Sequence, residues 1–571
     1  MILKQLYDYY DLLAKRCDVP HYGWSLEQIS FGLNLDANGA LIGCVDLRRK
    51  KLIARNRWGL VPQIMEVPMR TIRTTNCRAN FLWDNPSYLL GLAAPPYMTD
   101  SLAPNTQLKL NNHSFRCFET SRRLHQNLLA HLNHPGALAI IRFFHSWKPE
   151  QAGTYPALQP YLRELAASNA VFMINGHPAI EDDALRAVWP AYYEANLEGA
   201  CRCCLVTGQY LHIASLHPKI RGVFGAAHTG SSLVSFNQEA FSSWGHEKGY
   251  NAPISDRAAF ACSTALNYLT TSRYAYGLGG VTFVFWTSDG RQDIQEAFFQ
   301  FLTGGDTGSP DLSDGMFCLL GLSTNGTRLS VCFWSELEVA ELLGILRRCE
   351  PNETDIRRDI PTLAQLLLEL EPDTKYDRTQ PVLAVELMQC LMDGRALPGM
   401  LMRRLLLRLC QDETIRVQYL TLIVIYLKQN KPSIQIQEAL QMELNAQSDY
   451  LPYILGRLFA VYDLTNRRAV PHSCHTVKQR YFRVACTAPA RIFPDLERRN
   501  DVDLHSLKAS GWNRYWETQK LDLMTRIREP FPQTLRVEDM GVFTLGYYHQ
   551  LHHSAQERGV GMRYAGTDAS I

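Results

Sequence analysis

The strongest constraint on this chain is a change of periodicity near residue 335. Before it, short strand-like runs at 31–36, 40–47, 170–174, 203–206 and 281–286 are interleaved with helix-period segments at 117–132, 137–147, 183–196 and 257–271. Asn38-Gly39 separates the runs at 31–36 and 40–47, and Asn325-Gly326 separates runs at 317–322 and 328–334. Both pairs predict tight hairpins, because Asn and Gly tolerate positive φ. After 335 the alternation stops. Segments 337–348, 362–370, 382–392, 399–410, 414–427, 451–464, 478–486, 503–508 and 512–528 carry apolar residues at helical spacing, with Pro, Gly and Asp between several of them. This pattern predicts an α+β N-terminal body with mixed short strands and helices, followed by an α-helical C-terminal bundle. The boundaries it implies are a body over 1–335, a helical connecting region over 336–440 and a C-terminal helical domain over 441–571.

Three or four domains are expected of 571 residues, and 46% hydrophobic with 20% charged residues excludes general disorder. The first sixteen residues mix acids and bases with Leu3, Leu6, Tyr10 and Leu13 at helical spacing, which reads as an amphipathic helix and not as a targeting segment. The longest apolar run, 417–427, falls short of the roughly 20 residues that a bilayer needs. Fifteen scattered cysteines read as reduced thiols. A soluble, cytoplasmic protein with no membrane partner is the expectation.

The net charge is only +2, so any nucleic-acid site must be local. Between 48 and 78 there are nine bases (Arg48, Arg49, Lys50, Lys51, Arg55, Arg57, Arg70, Arg73 and Arg78) against one acid, Glu66. The 70–80 segment, rich in Arg, Thr and Asn, is too polar for a buried strand. Those side chains suit phosphate contacts and base edges, and they equally suit a solvated loop whose arginines pair with acids elsewhere. Between 457 and 528 fourteen bases face seven acids, with Trp512, Tyr515 and Trp516 among them. Cations interleaved with aromatics suit a single strand; a bundle with aromatics inside and bases outside has the same composition.

Catalytic signatures are missing. There is no GxxxxGK[ST] loop, no HExxH and no GxSxG elbow. Cys201, Cys203 and Cys204 with His212 and His217 lack the CxxC spacing of a zinc site. His549, His552 and His553 read as a polar helix end, and the Gly-rich 303–308 as a connecting loop. Neither a metal nor another cofactor is expected.

Eleven strings in order carry a resemblance. They include NFLWDNPSYLLG (80–91), LHPKIRGVFGA (216–226), GLSTNGTRLSVCFW (321–334), TAPARIFP (487–494) and GVFTLGYYHQ (541–550). Over nearly its whole length the chain resembles the large subunit of the type I-C CRISPR surveillance complex (Cascade). The resemblance implies a non-catalytic subunit of an RNA-guided complex. In such complexes the guide reads the target by pairing, and protein reads only a short flanking motif, the PAM, and duplex shape. It implies as partners the guide crRNA, double-stranded target DNA and its displaced single strand, backbone, guide-processing and small subunits, and a helicase-nuclease recruited on target binding. The N-terminal part would sense the PAM and help to open the duplex, and the C-terminal domain would resemble the small subunit.

Carried onto this chain, the resemblance assigns PAM contacts to the segment before NFLWDN. Arg70, Arg73 and Arg78 would take phosphates or a minor groove, and Asn76 and Asn80 base edges. Family members often carry Gly-Ile-Lys-Pro there; this chain has Asn76-Cys77-Arg78-Ala79. Arg48, Arg49, Lys50 and Lys51 would add phosphate contacts. Thr229, Ser231, Ser232 and Asn237 form a second, loop-like contact. Arg457, Lys478, Arg480, Arg483, Arg514 and Lys520 are the displaced-strand residues. The family also implies internal initiation at Met442, since codons for Gln437-Glu438-Ala439 can contain AGGAGG; the product would be a separate small subunit. Two readings from other classes stay open: a metal-dependent nucleic-acid enzyme, and a scaffold that touches proteins only.

Overall fold

The computed structural model describes residues 1–54, 57–71, 73, 77–92, 111–303, 308, 310, 314–349, 380–393, 395, 397–411, 417–429, 433–440, 444–471, 475–508 and 511–556. Asn76, Met442, the expected helix at 362–370, the start of the one at 414–427 and most of the Gly-rich 303–308 therefore lie outside the described residues. The chain divides into two compact units, one of residues 1–219 with 234–268, the other of 220–233 with 269–571.

The first unit opens with α1 (Ile2–Lys15), whose Leu6, Tyr9, Tyr10 and Leu13 are buried. Strands β1 (Trp24–Ile29), β2 (Phe31–Leu35), β3 (Leu41–Asp46), β4 (Arg49–Ala54), β5 (Arg57–Val61) and β6 (Gln63–Pro68) follow. Then come β7 (Trp83–Asp84), α2 (Pro86–Leu89), α3 (Asn112–Leu129), α4 (Pro135–Ser146), α5 (Leu162–Ala166), β8 (Ala170–Ile174) and β9 (His177–Pro178). The main sheet runs β3-β2-β8-β7, with β9 on β8. β2 and β8 pair in parallel from Phe31↔Ala170 to Leu35↔Ile174. Both are near-continuous apolar runs, as strands covered on both faces must be. Phe31, Leu33, Phe143, Phe144 and Phe172 share the core with Phe81, Leu82 and Trp83.

The Asn38-Gly39 turn is looser than the sequence predicts. Gly39 alone takes positive φ, +82°, and Asp36 Oδ1 accepts from the N–H groups of Asn38 and Ala40. A Cβ on Gly39 would lie 2.5 Å from the Ala139 carbonyl oxygen and 2.6 Å from the Phe143 nitrogen, so the glycine also admits α4. The expected strand at 203–206 is displaced: β10 is Cys201–Cys203, paired with β11 (Tyr210–His212), and Cys204 lies buried in the turn beyond it. Helices α6 (Asp183–Arg186) and α7 (Val188–Ala195) replace the single helix expected at 183–196; α8 (Asp256–Thr271) matches the one at 257–271.

The second unit holds an antiparallel sheet β12-β13-β14-β15. Its strands are Ala275–Leu278, Val281–Thr287, Met316–Asn325 and Arg328–Glu338. α9 (Gln292–Thr303) lies between β13 and β14 in the chain, and Asn325-Gly326 turns β14 into β15 as expected, with Gly326 at φ +71°. β15 runs three residues past 335, and the described residues beyond it are helical or irregular. The helices are α10 (Val339–Cys349), α11 (Gln380–Met392), α12 (Gly399–Gln411), α13 (Val417–Gln429), α14 (Ile434–Ala439), α15 (Leu451–Ala469), α16 (Val477–Thr487), α17 (Pro489–Ser506), α18 (Asn513–Arg526) and α19 (Val537–Gln556). α17 is three times as long as the helix expected at 503–508. Pro489 takes its first turn, where a missing N–H costs nothing.

α15 and α19 meet almost backbone to backbone. A Cβ on Gly456 would fall 2.0 Å from the Phe543 carbonyl oxygen, and one on Gly546 2.3 Å from that of Tyr453. Around that crossing Phe459, Phe482, Phe543 and Tyr547 pack edge to face or tilted. Asp463, fully buried, accepts from Arg467 at 2.7 Å, the Tyr547 hydroxyl at 2.9 Å and the Lys478 backbone N–H at 3.0 Å. A strand-bearing body thus precedes a helical C-terminal region.

Candidate nucleic-acid interface

After β6 the described residues 71 and 73 meet 77–80 and close an arch. Asn80 is buried, and its Oδ1 accepts from the Thr71 backbone N–H at 3.0 Å and from Thr71 Oγ1 at 2.9 Å. Inside that closure Arg73 Nε donates to the Arg78 carbonyl at 2.6 Å, and its Nη2 pairs with Asp84 Oδ2. The guanidinium also lies 3.8 Å from the centroid of the Tyr88 ring. Asp84 accepts two backbone N–H groups as well, from Asn80 at 2.9 Å and Asn85 at 2.7 Å. Burial pushes its carboxyl above the ordinary value although all three donors oppose this.

Next to the arch, Leu82 holds φ +65°, a conformation that a side chain of its kind rarely adopts. Two bonds fix it: its N–H donates to His125 Nε2 at 2.9 Å, and its carbonyl accepts from the Phe172 N–H at 3.0 Å. His125 Nδ1 donates to the Ser121 carbonyl at 2.8 Å, so the ring is neutral, and burial lowers its pKa to about 4.

Of the five residues assigned to this segment, the four described ones therefore separate, Asn76 lying outside the described residues. Arg73 and Asn80 are bound inward as positioning residues, and neither is free for a phosphate or a base. Arg70 and Arg78 point outward, with side chains 60% and 55% exposed and weak ion pairs to Glu27 at 3.4 Å and Glu198 at 3.2 Å. Exposed pairs of this kind contribute about 0–1 kcal/mol, so a phosphate can displace the carboxylate.

Arg48 also turns inward. It forms a two-point ion pair with Asp46 (2.8 and 2.9 Å), which raises its own pKa and lowers that of Asp46, and its guanidinium lies 4.8 Å from the Phe31 ring. Arg49, Lys50 and Lys51 are exposed on β4, which among the described residues pairs only with β5. Lys50↔Leu60 and Leu52↔Trp58 face each other across this two-stranded ribbon. Successive residues alternate faces, so Lys50, Leu52, Trp58 and Leu60 share one of them. Trp58 is 61% exposed, and Leu52 and Leu60 about half exposed. The sequence reading missed this ribbon because the face of Lys50, Leu52, Trp58 and Leu60 is exposed.

The second expected contact is structural at its centre. Ser231 is fully buried, its Oγ donating to the Gly326 carbonyl at 2.7 Å, and Ser232 exchanges backbone bonds with Thr327 and Leu329 at 3.0 Å. They extend the edge near the start of β15; Thr229 and Asn237 are exposed. In the helical region Arg457 is buried and donates to Gln550 at 2.9 Å, Lys478 is buried, and Lys520 pairs with Asp501 at 2.6 Å. Trp516 is buried too. Arg480, Arg483 and Arg514 are exposed.

Cys201, Cys203, Cys204, His212 and His217 form no ligand cluster. Cys204 Sγ accepts the N–H groups of Ser255 and Val206, His212 Nδ1 bonds the Gly199 carbonyl, and burial lowers the His217 pKa to about 4. His549 Nδ1 bonds the Tyr453 hydroxyl at 2.9 Å. Among the described residues the group that could hold a metal is Cys77, His113 and Cys117, which joins the arch to α3.

Residues 6–555 match the family model described as CRISPR-associated protein (Cas_Csd1). The chain belongs to that family. No curated protein matches it. As a Csd1 family member it is a CRISPR-associated effector subunit that works with other CRISPR components. No helix among the described residues of this Csd1 chain is long and apolar enough to cross a membrane.

Proposed function

We propose that this subunit belongs to a type I-C Cascade and grips the duplex flanking the target, reading the PAM and starting the opening of the duplex without cutting it. The observation that carries the reading is the β4–β5 ribbon. It presents Arg49, Lys50 and Lys51 together with an outward Trp58 between Leu52 and Leu60. A two-stranded ribbon fits a DNA groove, its cations meet phosphates, and apolar side chains wedge between base steps. Arg70 and Arg78 on the arch supply further phosphate contacts, with base reading assigned to Asn76. Arg480, Arg483 and Arg514 line the path of the displaced strand, while Arg457, Lys478 and Lys520 hold the helices together. The guide crRNA, the backbone and small subunits and a recruited helicase-nuclease complete the assembly, and cleavage belongs to that last partner.

The test compares the assembled, guide-loaded complex with its Trp58→Ala form on two targets of the same sequence, one fully paired and one pre-melted beside the flank. Weaker binding to the paired target with unchanged binding to the melted one supports the wedge. Equal loss on both contradicts it. Failure of the variant to join the complex would make the ribbon a protein-docking element.

A further inference from the structure

Cys77, His113 and Cys117 come from two segments distant in sequence, which also meet where Ala79 packs against Cys117. Cys77 lies on the arch; His113 and Cys117 are one turn apart on the same face of α3. Cys77 Sγ and Cys117 Sγ are 3.6 Å apart, Cys117 Sγ is 3.6 Å from His113 Nε2, and Cys77 Sγ is 3.9 Å from His113 Nδ1. A tetrahedral zinc ion with Zn–S bonds of about 2.3 Å and a Zn–N bond of about 2.0 Å separates its ligand atoms by about 3.8 Å for S···S and about 3.6 Å for S···N. The S···S separation matches its edge, each sulfur has an imidazole nitrogen near the S···N edge, and with one ligand atom taken from each residue all three lie within 4.8 Å of one another. One turn of the ring about its Cβ–Cγ bond chooses which nitrogen binds.

We propose that Cys77, His113 and Cys117 bind a zinc ion that ties the arch to α3.

The surroundings fit such an ion. Cys117 is fully buried, Cys77 half-buried and His113 exposed, so the triad has a closed floor and an open side for water as the fourth ligand. The Tyr88 hydroxyl hydrogen-bonds Cys117, the outer support that a thiolate ligand needs, and Ala79 and Tyr88 pack around that sulfur. Two thiolates and an imidazole select zinc over magnesium or calcium, which take oxygen ligands. Binding releases the two thiol protons to solvent and leaves a neutral centre. Its consequence is local order: the ion clamps Cys77, next to the outward Arg78. The metal site stands without the DNA reading, and only its effect on flank preference rests on it.

The test uses the purified full chain, exchanged into zinc and dialysed against a weak chelator, with metal measured per chain by mass spectrometry. One zinc per wild-type chain, lost in Cys77→Ser and in Cys117→Ser and kept in Cys203→Ser, is the expected result. As a control on folding, metal-free wild type is titrated with cobalt(II), where near-ultraviolet thiolate charge-transfer and visible d–d bands are expected. No zinc and no thiolate bands overturn the proposal, as does zinc retained in both ligand variants. A Cys77–Cys117 disulfide in freshly isolated protein, found by non-reducing peptide mapping with no metal bound, also overturns it. Zinc that is present but whose removal leaves flank preference unchanged keeps the site and removes its link to DNA.

Discussion

The arch of residues 70–80 and the helical region of 457–528 are both rich in bases, yet they use them differently. In the arch a buried carboxylate, Asp84, draws in Arg73 and leaves Arg70 and Arg78 outside. In the helical region the buried Asp463 takes Arg467, the Tyr547 hydroxyl and the start of α16, while Arg457 and Lys478 disappear into the bundle and Arg480, Arg483 and Arg514 stay outside. In both regions a count of bases overstates the surface that can meet a phosphate. The difference lies in what the buried acid organises: a short arch in one, the packing of whole helices in the other.

The largest expected effects come from removing those acids. Asp84→Ala and Asp463→Ala each leave a cation or buried donors unmatched, at a cost of about 3–5 kcal/mol, read from urea unfolding. Their functional consequences should part. Asp84→Ala abolishes flank preference in complexes that still assemble, whereas Asp463→Ala weakens the fold with flank preference intact. The same loss of preference from both would erase the distinction.

His125 gives the arch side a pH signature. Its folded pKa of about 4 lies below the unfolded 6.5, so the stability it contributes is complete above pH 6.5 and is lost as pH falls toward 4. Between pH 7.5 and 4.5 the linked loss is on the order of 2–3 kcal/mol. His125→Gln should remove that part of the pH dependence; an unchanged profile would mean that the ring is not held neutral.

Smaller effects separate duplex from single-strand binding. Arg70→Ala with Arg78→Ala should lower the salt slope of duplex binding by about 0.9 for each phosphate no longer neutralised, and Arg480→Ala with Arg483→Ala that of single-strand binding by about 0.7 each. Equal slopes on both substrates would merge the two roles. Asn76→Ala should relax preference at one flank position by about 1–3 kcal/mol, and a uniform loss at every position would argue against base reading.

Much of the fold was legible because its signals are local. Asn325-Gly326 and the apolar runs around it predict β14 and β15, and the helical period after 335 survives into the bundle. The ribbon was not legible: Lys50, Leu52, Trp58 and Leu60 are all exposed, so the alternation that marks a half-buried strand is absent. Nor could charge show that Arg73 and Asn80 face inward, since the first depends on Asp84, eleven residues away, and the second on Thr71, nine residues away. Of the triad only Cys117 fell in the helix expected at 117–132; the helix begins at Asn112 and so adds His113. The third member, Cys77, lies 36 residues from His113 in the chain, a pairing that only the fold reveals.

The most direct test of flank recognition is binding of the assembled, guide-loaded complex to targets with a randomised flank, for wild type and for Arg70→Ala/Arg78→Ala with Asn76→Ala. A sharp flank preference in wild type that collapses in the triple variant is the predicted result. A preference that survives the triple variant, or none in wild type, would contradict the account.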